Sequence, residues 1–133
     1  MVSVDTNILV RYAVKDDPRQ TELATAILAE NHCFILCSVV LETAWVLETA
    51  YAYSPAQVFE RLAHIFSLPT IAVEAYPAVI SALDRYAAGL DFADALHLSL
   101  SEYQNKDGLL TFDKKFANAA GRLNVQHSVK LVR

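Results

Sequence analysis

The sequence predicts one α/β domain, residues 1–133, with a mostly parallel central sheet and helices on both faces. Two observations predict it. Short apolar runs alternate with longer segments of helical spacing, in the order β-α-β-α-α-β-α-α-β-α-β. A chain of 133 residues has room for one ordinary domain and not for two. Internal repeats and interdomain linkers are both absent from the sequence.

The elements follow in order. Met1–Val4 is a short apolar run ending at Asp5. Arg19–Glu30 places Leu23, Ala24, Ile27 and Leu28 on one helix face. Phe34–Cys37 is a second strand, and Ser38, a preferred N-cap residue, is expected to open a helix running to Tyr51. Ser54-Pro55 starts another helix with Pro at its first position. That helix carries Val58, Phe59, Leu62, Ile65 and Phe66. Thr70–Val73 is β-branched and short, and a helix follows from Pro77 to Ala87. Asp91 opens a helix through Tyr103. Gly108–Phe112 and Val129–Val132 are the last two strands, with a helix between them.

Composition narrows the class. Hydrophobic residues make up 54% and charged residues 20%, with three Gly and four Pro, which excludes disordered and low-complexity chains. No uncharged apolar stretch reaches the roughly 18 residues of a membrane span. The first ten residues lack the basic start of a signal peptide, so a cytoplasmic location is expected. Two cysteines, Cys33 and Cys37, are too few for a disulfide framework. A formal net charge of −4 offers no bulk attraction for nucleic acid.

Ligands of parallel α/β sheets bind beyond the carboxyl ends of the strands. Four acids fall there. Asp5 ends the first strand, and Glu42 lies one turn into the helix after FILCS. Asp94 is in the first turn of the helix opened by LDFAD, and Asp113 follows LLTF. Each has an ordinary structural explanation. Asp5 and Asp113 suit helix or turn caps, Asp91 caps the helix that contains Asp94, and Glu42 complements a helix dipole. Glu42 nevertheless has Ser38, Val39, Trp45 and Val46 as neighbours, an awkward setting for a solvated carboxylate. Crowded carboxylates must protonate or share a cation. Oxygen-only donors suit Mg²⁺ or Mn²⁺, and such an ion activates water for phosphodiester hydrolysis and makes an acidic pocket accept a phosphate.

The segments VDTNILVRY, SVVLETAWVLE, GLDFADALHLSL and LLTFDKKF, in that order, resemble the PIN-domain ribonucleases. They look most like the VapC toxins of type II toxin–antitoxin pairs. The resemblance covers essentially the whole chain. It implies a metal-dependent endoribonuclease acting on structured RNA such as transfer or ribosomal RNA. It places the catalytic and metal-binding acids on Asp5, Glu42, Asp94 and Asp113. It also implies a homodimer and inhibition by a cognate VapB-type antitoxin.

Several neighbours carry two readings. Thr6 and Asn7 either orient Asp5 or simply begin a helix. Thr111 would share a strand face with Asp113. His97, three residues after Asp94, is read as a helix histidine rather than a ligand. His32, His64 and His127 are scattered and build no acid–base pair. Cys33 and Cys37 are read as buried thiols on one strand face. Trp45, Tyr51, Tyr53, Phe59 and Phe66 are assigned mostly to the core, with a dimer surface as the other use. Arg11, Arg85, Lys114 and Lys115 flank the acids and could steer RNA phosphates. Two other classes stay in view: a phospho-accepting signalling domain, disfavoured because Thr6-Asn7 stands where a second acid would be needed, and a catalytically silent PIN fold that binds partners.

Overall fold

The computed structural model describes all 133 residues. Two compact units make up the chain, Met1–Glu74 and Ala75–Arg133.

The first unit holds β1 (Val2–Ser3), α1 (Thr6–Val14), α2 (Pro18–Glu30), β2 (Cys33–Ile35), α3 (Cys37–Thr49), α4 (Pro55–Ser67) and β3 (Ile71–Val73). Its strands form a parallel sheet in the order β1-β2-β3, with Val2 opposite Cys33 and Cys33 opposite Ile71. Cys33 and Ile35 are fully buried in the central strand, with Leu9, Leu28, Val40, Leu47, Leu62 and Ile65 packed from the helices.

Two helices, rather than the expected one, join the first two strands. Lys15 adopts a left-handed conformation (φ 60°) that ends α1, and its amide donates to the Arg11 carbonyl. Asp17 then caps α2 through the Gln20 amide at 3.1 Å, with Pro18 at the first helical position. The apolar run of α1 is nearly continuous with β1, which hides the boundary in sequence.

Ser38 does not cap α3. The helix begins one residue earlier, at Cys37, and its N-cap residue Leu36 supplies no side-chain bond. A distant group does that work: the Glu74 carboxylate accepts the Cys37 amide at 2.8 Å. Cys37 is therefore the first helical residue and does not share a strand face with Cys33. By contrast, α4 begins as expected, with reciprocal Ser54 and Gln57 bonds of 3.2 and 2.8 Å behind Pro55.

The second unit holds α5 (Tyr76–Ala87), α6 (Phe92–Tyr103), β4 (Leu109–Thr111), α7 (Lys114–Arg122) and β5 (Val129–Leu131). Val79, Ala82, Leu83 and Tyr86 of α5 and Phe92, Ala95, Leu96 and Leu98 of α6 are buried. Tyr86 meets Phe92 edge-on at 5.3 Å. Gly89, at φ 116°, makes the turn between the two helices, a conformation that favours glycine. β4 and β5 form a parallel two-stranded sheet with Leu109 opposite Val129. Every strand pair in the protein is parallel, as the alternation of strands and helices requires. No helix is long and apolar enough to cross a membrane.

Candidate active site

Each unit carries one group of acids. In the first, Asp5 is the N-cap of α1, and its Oδ1 accepts the Thr6 amide at 2.7 Å. The Thr6 hydroxyl donates to Oε1 of Glu42, 36 residues further along the chain. Thr6 is buried while both carboxylates are exposed. One buried threonine thus bonds both acids: its amide to Asp5 is the cap bond that begins α1, and its hydroxyl holds Glu42 rather than Asp5.

Glu42 points to solvent rather than into apolar surroundings. It shares the exposed stripe of α3 with Ser38, Trp45 and Thr49. Trp45 is 63% exposed and does not belong to the core. Phe66 is buried as expected, and Tyr51, Tyr53 and Phe59 are half-buried.

In the second unit Asp91 caps α6 by accepting the Asp94 amide at 3.2 Å, the capping role expected of it. Asp94 is half-buried. Its carboxyl is pushed above the ordinary value by burial first, then by the charges of Asp91 and Asp113, with His97 opposing. Asp113 is the N-cap of α7: its Oδ1 accepts the Phe116 amide at 3.1 Å, and its own amide donates to the Thr111 hydroxyl at 3.0 Å. The capping roles are therefore real, and they fix the carboxylates of Asp5, Asp91 and Asp113 at helix N-termini without consuming every lone pair.

No three His, Cys, Asp or Glu side chains close to metal-ligand spacing. The donor set still suits a hard divalent cation. Within each unit the donors are carboxylate oxygens, and in the second unit Asp94 bears a like-charge cost that a cation would relieve. Such an ion takes few protein ligands and keeps several waters.

Several other titratable groups are engaged elsewhere. His64 lies flat against Tyr12, with Nε2 2.8 Å from its hydroxyl, and His127 meets the Ser101 hydroxyl at 2.9 Å. Arg11 pairs with Asp16 at 3.2 Å. Arg85 pairs with Glu102 at 3.0 Å and donates to Ser99 at 2.9 Å. Neither arginine is left as a free phosphate-steering cation, whereas Lys114 and Lys115 are exposed. Both cysteines are free thiols. Burial, and then Glu74, push the Cys37 thiol up to about 11, which keeps it almost wholly protonated at neutral pH.

The family model for the PIN domain matches residues 2–122, across both units and all four acids. The chain belongs to the PIN domain family. PIN domains are generally nucleases that use divalent metal ions, and α/β architecture with parallel strands accords with that membership. No curated protein matches the chain. Membership of a family whose members are generally nucleases favours the nuclease reading over the phospho-accepting one.

Proposed function

We propose that this PIN domain is a divalent-metal-dependent endoribonuclease, the VapC-type toxin of a type II toxin–antitoxin pair. Asp5, Glu42, Asp94 and Asp113 are the carboxylates that would serve Mg²⁺ or Mn²⁺. The observation that carries the reading is the Thr6 bridge, in which one buried residue donates its amide to Asp5 and its hydroxyl to Glu42. Asp5 also caps α1, but capping does not account for the bond that holds the exposed Glu42 to Thr6.

When bound, the cation supplies charge neutralisation at the attacked phosphate and lowers the pKa of a water. The chain's own residues do the rest. Thr6 sets the orientation of Glu42, and the Thr6 amide sets that of Asp5. Asp91 and Asp113 hold the first turns of α6 and α7, and Asp91 thereby fixes the backbone of Asp94. In the reaction the water oxygen bonds to phosphorus, the bond to the 3′ oxygen breaks, and that oxygen takes a proton. The products are a 5′-phosphate and a 3′-hydroxyl.

The same reading assigns a structured RNA substrate, a cytoplasmic location, a VapB-type antitoxin and a homodimer. The exposed indole of Trp45 suits a contact between subunits. The test is to map 5′ ends in total RNA after brief induction. New ends are expected with wild type and not with Asp5→Asn. Identical maps from both would leave a PIN fold that binds partners without cutting.

A further inference from the structure

The chain is acidic, yet its last segment is not. Residues 108–133 hold five cations (Lys114, Lys115, Arg122, Lys130 and Arg133) against one acid, Asp113, a net of +4 in a protein of −4. This segment is β4-α7-β5. Within both strands alternate residues are half-buried and exposed: Leu109, Thr111, Val129 and Leu131 turn inward and Leu110 and Lys130 outward, and Phe112 and Val132, just past the strand ends, are exposed as well. Lys130 lies directly opposite Leu110 across the ladder. Phe112 is 83% exposed and Leu110 70%, so the outer face of this small sheet is an open apolar platform with a lysine set into it. Phe112 also immediately precedes Asp113, one of the acids assigned to the reaction.

We propose that this face holds the RNA substrate, with the Phe112 ring stacking on an unpaired base and Lys130 and Lys114 contacting the adjoining phosphates. The inference rests on the ribonuclease reading and assigns the residues of this chain that hold the strand. Two arguments select this occupant. A flat exposed ring beside cations matches the way sheets and grooves hold single strands, the ring taking a base face and the lysines the backbone. A second copy of the chain would, in a two-fold dimer, set this surface against itself and bring its two Lys130 side chains together. The anionic partner is favoured and the self-contact is opposed by the same charges.

The experiment uses full-length Asp94→Asn without added metal, titrated with a short fluorescein-labelled RNA, single-stranded and as a duplex. Phe112→Ala should weaken single-strand binding roughly 5- to 100-fold, the range of one lost base stack. Phe112→Trp should restore it, and duplex binding should be weaker and indifferent to Phe112. Lys130→Ala and Lys114→Ala should each flatten the salt dependence of single-strand binding by about 0.7 in log–log slope. Because Phe112 is exposed, its replacement should leave the melting temperature in place.

Unchanged single-strand affinity in Phe112→Ala overturns the proposal. So does a wild-type dimer that Phe112→Ala dissociates with RNA affinity intact, which would give the face to a second copy. So does polyglutamate binding as tightly as RNA, which would give it to an acidic protein tail. Cleavage assays separate the two readings. Cutting that survives Asp5→Asn and Glu42→Gln alongside Phe112-dependent binding would sink the catalytic assignment and leave this surface standing.

Discussion

The Thr6 hydroxyl donates to the Glu42 carboxylate, while the Thr6 amide donates to Asp5. A single buried side chain therefore sets the relation between the first helix and the exposed face of α3. Under the proposed function Thr6 would act as a positioning residue. Thr6→Val keeps the shape and removes the donor, and supporting partners of metal-site carboxylates are typically worth about 10- to 100-fold. RNA cleavage should fall by that order with the fold intact, and Thr6→Ser should recover it. A Thr6→Val protein that melts normally and cuts at the wild-type rate would remove the bridge from the mechanism.

Asp5→Asn, Glu42→Gln and Asp94→Asn should each abolish metal-dependent cleavage, and Asp113→Asn should do less. Asp113 adds a structural control. Asn still caps a helix, so Asp113→Asn should keep α7, whereas Asp113→Ala should cost about 0.5–2 kcal/mol in denaturant unfolding.

Product ends report the chemistry. A water attacking phosphorus leaves 5′-phosphates, so fragments should ligate at their 5′ ends without prior phosphorylation. Fragments ending in 2′,3′-cyclic phosphate would show attack by the 2′-hydroxyl and remove the metal-activated water.

Asp94 ties stability to pH. Its folded pKa is raised by burial and by Asp91 and Asp113, so ionising it costs folding free energy. That cost is absent below the unfolded value of about 3.9, grows as pH rises through the folded value, and is complete above it. Metal-free Asp94→Asn should therefore melt higher than wild type at neutral pH, and the gap should close in acid. Mn²⁺ should raise the wild-type melting temperature and do much less for the variant. A variant that melts lower at every pH, with an unchanged Mn²⁺ response, would reduce Asp94 to a helix-turn acid.

Cys37 tests the Glu74 cap. With its thiol pushed up to about 11 by burial and Glu74, alkylation at neutral pH should be slow. Glu74→Gln removes the like charge and should speed it, while α3 keeps an oxygen acceptor for the Cys37 amide. Equal alkylation rates would leave burial as the sole cause.

Features that close within a few residues were legible in the sequence. The Ser54–Gln57 box with Pro55, the Asp91 cap and the alternation of strand and helix each depend on local spacing, and each stands in the structure. The positions of the four acids just beyond apolar runs were legible for the same reason, as were the motifs that carry family membership. Partnerships over long sequence separation were not. The break at Lys15 costs a left-handed residue that only the packing of α1 and α2 repays, and the cap of α3 comes from Glu74, brought there by the pairing of β2 with β3. Exposure was equally hidden. Trp45 and Phe112 are apolar side chains that pattern alone assigns to the core or to a strand, and only the way each element lies against its neighbours turns them outward. Local spacing determines where a chain can turn, cap and alternate, because those interactions close inside one helical turn or one strand. Which hydroxyl meets which carboxylate, and which ring is left to the solvent, depends on elements meeting in space, and tertiary packing alone decided it.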